Sequence, residues 1–110
     1  MRLIAPCVYI LASGENGTLY IGVTSDLYAR MAQHTQKLIK GFTAKYNVTR
    51  LVYYEELATM PEAIAREKQL KNWQRLWKIR LIEQMNPGWE NLFDAATGEI
   101  RFGPFDGRGA

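Results

Sequence analysis

The sequence holds one cysteine and one histidine in 110 residues. A lone thiol closes no disulfide within the chain and builds no cysteine zinc site, a usage that suits a reducing cytoplasm. With a single imidazole as well, any bound metal must rest on carboxylate oxygen, which favours magnesium or manganese over zinc. No apolar run is long enough to span a membrane, so no membrane partner is expected. Arg2 followed by Leu3 to Ala12 imitates a signal peptide, yet no small-x-small cleavage site follows, and a buried strand accounts for the same residues. Pro6 directly before Cys7, after only a short apolar run, argues against a lipidation site there. Internal repeats, interdomain linkers, zinc-ligand clusters and a helix-turn-helix pattern are all missing.

What remains is the composition of an ordinary globular domain, 47% hydrophobic and 23% charged, of a size that holds one modest core. The net charge of +3 is unevenly spread. Between Arg30 and Arg80 eleven Lys and Arg face four Glu, while from Leu81 onward five acidic residues face two Arg. A basic middle and an acidic end suggest a polyanion-facing surface on the central helices. Solvation of exposed helix faces is the plainer account of the same charges.

Val8 to Leu11 reads as a first strand and Leu19 to Val23 as a second, with turn formers between them and Asn16-Gly17 as the tight-turn pair. Leu19, Ile21 and Val23 share one face, Tyr20 and Gly22 the other, so Gly22 leaves an open floor beside Tyr20. Thr24 or Ser25 can cap a helix that runs to about Lys40, its apolar side supplied by Leu27, Met31, Leu38 and Tyr28. A polar linker covers Gly41 to Thr49, and Leu51 to Glu55 makes a third strand. Thr59-Met60-Pro61-Glu62 is a capping box. The helix after it carries an apolar stripe of Met60, Ala63, Ile64, Leu70, Trp73 and Trp77, with Glu67 inside the stripe. A carboxylate there has a partner or lines a cleft, because an unpaired buried charge costs several kcal/mol. A second short helix runs to about Met85 and ends at Asn86-Pro87-Gly88. The Gly-rich tail, 94–110, forms a short hairpin through Ile100 and Phe102 or is partly disordered.

The chemistry is concentrated in Val8 to His34. Arg30 and His34 lie four apart on one helical face just after the hairpin that carries Tyr9 and Tyr20. Val8-Tyr9, then Tyr20-Ile21-Gly22, then Arg30, His34 and a helical Glu67, resembles the GIY-YIG nuclease superfamily over about residues 6 to 93. The small stand-alone bacterial members are the nearest in pattern, through Ala65-Arg66-Glu67-Lys68-Gln69-Leu70-Lys71 and Asn86-Pro87-Gly88-Trp89. The second motif is intact; the first has Cys7 and Val8 where the family name has Gly and Ile. Val23 and Thr24 stand where several relatives carry a Lys.

The resemblance implies an α/β domain, 1–93, with a three-stranded antiparallel sheet flanked by helices. It also implies a metal-dependent DNA endonuclease. Phosphodiester hydrolysis needs a deprotonated water, a counter to charge on the phosphoryl oxygens and a stabilised 3′-oxygen. On this resemblance Glu67 holds one magnesium or manganese ion and Tyr9 is the general base. A phenol is a poor base at neutral pH unless lowered by a cation, here the metal, Arg30, or a protonated or hydrogen-bonding His34. Arg30 clamps the phosphate with its planar fork, and Tyr20 orients water or phosphate. Asn86, with Asn72 and Asn91 as rivals, completes the site. Lys37, Lys68, Lys71 and Arg75 are the candidate contacts to nucleic acid. Each assignment has a plain competitor: tyrosines as packing, Arg30 and His34 as an exposed pair, Glu67 paired with Lys71, Trp73 and Trp77 as core. A single site cuts one strand per visit, so single-stranded or structured DNA is the expected partner, and nicking in repair or recombination the expected role. The competing readings are a binding module of the same fold and a protein-interaction domain using Trp73 and Trp77. Monomer and weak dimer stay equally open.

Overall fold

β-Branched and aromatic residues dominate Cys7–Ala12, Leu19–Thr24 and Arg50–Glu56, and these are strands β1, β2 and β3 of the computed structural model, which describes residues 4–101. They form one antiparallel sheet in the order β2-β1-β3, so β1 is central and β2 is an edge. Every residue of β1 is buried, as a strand covered on both faces requires. Helices α1 (Leu27–Thr35), α2 (Phe42–Lys45), α3 (Met60–Asn72) and α4 (Arg75–Met85) flank it, and a two-stranded hairpin, β4 (Phe93–Asp94) and β5 (Glu99–Ile100), follows α4. No helix among the described residues is long and apolar enough to cross a membrane.

Alternation along β1 divides the core into two layers. Cys7, Tyr9 and Leu11 pack with Leu27 and Met31 of α1 and with Leu92, Phe93 and Ile100. Val8, Ile10 and Ala12 pack with Ala63 and Leu70 of α3, Ile82 of α4 and Trp89. The expected boundary at residue 93 therefore falls inside a packed unit: Ile100 is buried, and the Tyr54 hydroxyl donates to the Arg101 carbonyl at 2.9 Å. The hairpin expected through Ile100 forms, with Phe93 opposite Ile100; Phe102 and the rest of the tail lie outside the described residues.

Other expectations shift for local reasons. The β1–β2 turn is no two-residue loop: Gly17 N donates to Gly14 O at 3.1 Å, and Asn16 takes the left-handed φ of 55°. Asp26, rather than Thr24 or Ser25, caps α1, accepting from Ala29 N at 3.1 Å, while Thr24 Oγ1 accepts from Asp26 N. α1 stops five residues short of Lys40, because Lys37 turns left-handed (φ 57°). Lys37 N then bonds His34 O and Leu38 N bonds Gln33 O, the paired bonds of a Schellman end. Leu38 is consequently exposed, and the polar linker contains the single turn α2. Thr59 caps α3 as expected, accepting from Glu62 N at 3.3 Å, and the helix breaks at Trp73-Gln74. Ala63 and Leu70 of the expected stripe are core, Ile64 is exposed at its edge, and Trp77, beyond the break, is 49% exposed rather than core.

Candidate active site

Tyr9 belongs to the α1 layer, and its partner in register on β2 is Gly22. A Cβ at Gly22 would fall within the Tyr9 ring, 2.5 Å from Oη and 2.9 Å from Cε1. The floor left by that glycine is filled by the Tyr9 phenol across the strand pair, not kept open beside Tyr20. Close approach of a neighbouring group is a recurrent reason for glycine within a strand.

The phenol ends on His34, in the last turn of α1. Tyr9 Oη and His34 Nε2 are 3.0 Å apart, and His34 Nδ1 is 3.2 Å from Thr43 Oγ1 on α2. Tyr20 completes a triangle of rings, its centroid 6.4 Å from Tyr9 and 5.9 Å from His34. Burial lowers His34 to about 4, and the positive charge of Arg30 acts in the same direction. Burial also holds the Tyr9 phenol far above its ordinary value; Tyr20 adds to the rise, Arg30 opposes it, and the Glu67 carboxylate adds to it. Both groups are therefore neutral near pH 7. Lowered by its burial, His34 meets Tyr9 as a neutral hydrogen-bonding ring. A neutral imidazole has one donor and one acceptor nitrogen, so the relay runs from Tyr9 through His34 to Thr43 or in reverse.

Arg30 on α1 and Glu67 on α3 lie in opposite layers, and the charges of both act on Tyr9. Glu67 comes from α3, which packs against β1 and the edge strand β2. Its side chain is 16% exposed and pairs with Lys71 Nζ at 3.4 Å, the i,i+4 competitor named for it. Among the described residues no three His, Cys, Asp or Glu side chains could hold a metal ion together. One half-buried carboxylate fits a hard ion that keeps most of its water, as magnesium does, and not zinc with its three or four protein ligands.

The structure does not bring the remaining candidates to this cluster. Asn86 is fully buried, but its carboxamide donates to the carbonyls of Val52 and Glu90 and accepts from Glu90 N. Asn86 thereby folds the turn that drives Trp89 into the core, at a left-handed φ of 55°. That conformation costs about 1–2 kcal/mol, which burying the indole offsets. Asn91 Oδ1 is likewise held by Leu51 N and Phe93 N, and Asn72 lies exposed at the end of α3. Arg75 is spent on the hairpin turn, donating from Nη2 to Asn16 O at 2.9 Å and Gly17 O at 2.7 Å. Lys37 and Lys68 are exposed. Thr43 was not a candidate, since a threonine in a polar linker carries no signal of its own. Lys71, together with Lys78, also lines a depression of about 300 Å³ beside Tyr20.

Comparison with known proteins bears on this cluster. The family described as the GIY-YIG catalytic domain matches residues 5–80, which include Tyr9, Tyr20, Arg30, His34, Thr43 and Glu67 but not Asn86. A UPF0213 protein of Staphylococcus haemolyticus is 38% identical over 81 residues, covering 70% of this chain and 93% of its own. A UPF0213 protein of Staphylococcus aureus matches to the same extent. The solution NMR structure of a UPF0213 protein from Bacillus halodurans is similar at 28% identity and a TM-score of 0.49, over 78% of this chain and 90% of that one. None of these relatives' names states an activity.

Proposed function

Because this chain belongs to the GIY-YIG family, we propose that it is an endonuclease that hydrolyses a phosphodiester bond of DNA at one site, with a magnesium or manganese ion on Glu67. The observation that carries the reading is the chain of contacts from Tyr9 Oη to His34 Nε2 and from His34 Nδ1 to Thr43 Oγ1. It sets an acceptor nitrogen against the phenol, so a proton arriving at Tyr9 Oη has a hydrogen-bonded path away from the attacking water.

In the mechanism we draw, Thr43 Oγ1 accepts a hydrogen bond from His34 Nδ1–H, which leaves Nε2 as the acceptor. As water attacks phosphorus, its proton moves to Tyr9 Oη while the phenol proton moves to His34 Nε2. The new P–O bond forms as the bond to the 3′-oxygen breaks, and the departing oxygen takes a proton from solvent. Arg30 meets the charge on the non-bridging oxygens, and Tyr20, the more exposed member of the triangle, orients water or phosphate. Glu67 would hold the divalent ion, which when bound would offer positive charge to the departing 3′-oxygen. With one such site per chain, each visit cuts one strand, so nicking or cutting of single-stranded or structured DNA follows. A role in repair or recombination suits such cuts, and the compartment we assign is the cytoplasm.

The Glu67–Lys71 ion pair favours a second reading, a domain that binds nucleic acid without cutting it. Incubation with single-stranded and duplex DNA, with and without magnesium or manganese, separates the two. Cleavage that needs the metal and disappears in Glu67→Ala supports the nuclease. Salt-sensitive binding that survives Glu67→Ala, with no cleavage by the unaltered protein, establishes the binding module instead.

A further inference from the structure

Along the free edge of β2 the two layers of the fold meet in the depression lined by Leu19, Tyr20, Ile21, Phe42, Lys71 and Lys78. Phe42 comes from α2 in the Tyr9 layer, whereas Lys71 and Lys78 come from the helices of the other layer. Phe42 is 46% exposed and Tyr46 53%, their rings tilted at 49° with centroids 5.0 Å apart. Lys45 Nζ lies 5.4 Å from the Tyr46 ring. The core does not require these aromatics, because α2 is anchored by the buried Thr43 on His34. No lining residue is acidic, and Tyr20 belongs both to this depression and to the ring triangle.

We propose that this depression is a subsite for an unpaired nucleotide of a DNA strand, its base stacking on Phe42 and its flanking phosphates met by Lys71 and Lys78. The proposal rests on the nuclease reading for its location and deepens it by naming the surface that receives an unpaired nucleotide. A volume of about 300 Å³ is at the small end of ligand pockets and holds one base with its sugar. Within a duplex each base is stacked on its neighbours and offers no free face to a phenyl ring, while an unpaired base does. The half-buried Trp73 and the exposed Trp77 fit less well. Trp73 already carries the Arg66 guanidinium 5.2 Å from its ring, and the depression there is lined by no residue of the candidate site.

The test uses the whole chain without metal and a fluorescein-labelled oligothymidylate of about twenty nucleotides, with a hairpin duplex of equal length beside it. Stacking is worth roughly 1–3 kcal/mol per base, so Phe42→Ala should weaken single-strand binding by about fivefold or more in anisotropy titrations. Phe42→Leu, which keeps an apolar contact, should show the same loss, Phe42→Trp should restore binding, and duplex binding should stay within about twofold. Wild-type affinity in Phe42→Ala and Phe42→Leu, an equal loss on duplex, a loss in Trp77→Ala instead, or no single-strand binding at all overturns the subsite. Cleavage by the unaltered protein with metal is scored separately. Phe42-dependent binding without cutting leaves the subsite and removes the nuclease, whereas cutting with Phe42-independent binding does the reverse.

Discussion

Tyr9 Oη and His34 Nε2 stand 3.0 Å apart, and each side chain is only 2% exposed. A phenol raised by burial and an imidazole lowered by it share one hydrogen bond away from bulk water. Tyr9→Phe keeps the ring and removes the proton path. Strand cleavage should fall by roughly 10²- to 10⁴-fold, the usual worth of a general base, with far-UV circular dichroism unchanged. Thr43→Val should lower the rate less and alter its pH profile, since the imidazole keeps its place but loses the group that fixes its tautomer.

The same imidazole sets a pH dependence of stability. His34 falls from 6.5 to about 4 on folding, so the unfolded chain binds a proton that the folded chain refuses. Stability is complete above about pH 6.5 and drains away as the pH falls towards 4, by about 3 kcal/mol in all. Urea unfolding at pH 7, 5.5 and 4 should show the decline, and His34→Gln should flatten it.

Gly22 and Tyr9 are coupled by contact. Gly22→Ala drives a methyl group into the phenol and should cost about 1–3 kcal/mol, as overpacking does. A double-mutant cycle with Tyr9→Leu checks the cause: the cost of the methyl should shrink once the ring is gone. An unchanged cost would mean that β2 itself, not the ring, rejects the side chain.

Arg75 and Lys68 separate structure from binding. Arg75→Ala releases the Asn16 and Gly17 carbonyls and should lower stability by about 1 kcal/mol, with the salt dependence of DNA binding unaltered. Lys68→Ala should do the opposite, reducing the salt slope by about one if that cation meets a phosphate. Titrations at several salt concentrations decide both.

Ile100 is buried against the Tyr9 layer although it lies beyond the matched region. Ile100→Ala should cost about 2–5 kcal/mol in chemical denaturation, as a core truncation does. A chain stopped at Phe93 loses that packing and the Tyr54–Arg101 bond together, and its thermal midpoint should drop accordingly.

The legible parts of this protein were those fixed by neighbours in sequence. The three strands, the Thr59 cap and the meeting of the Tyr9, Tyr20 and His34 rings depend on alternation, capping and helical spacing over a few residues. Glu67, whose place within an apolar stripe demanded a partner, has one in Lys71 a turn further on. Other features depend on contacts distant in the chain. A buried Asn86 reads the same whether it holds a phosphate or a carbonyl, and only the fold shows Val52 and Glu90 using its amide. Arg75 resembled any basic helix residue until the hairpin turn arrived beneath it. The end of α1 was hidden for a different reason: the left-handed residue there is Lys37, where glycine would have announced it.

Tyr9 hangs from β1, the strand hydrogen-bonded on both sides. A reactive group borne on a surface loop can fail while its scaffold survives, since loops open at little cost. This one has no such early exit, because its backbone is released only when the sheet comes apart. Activity remaining in a heated or aged sample should then be a headcount of intact molecules, each either fully competent or wholly lost.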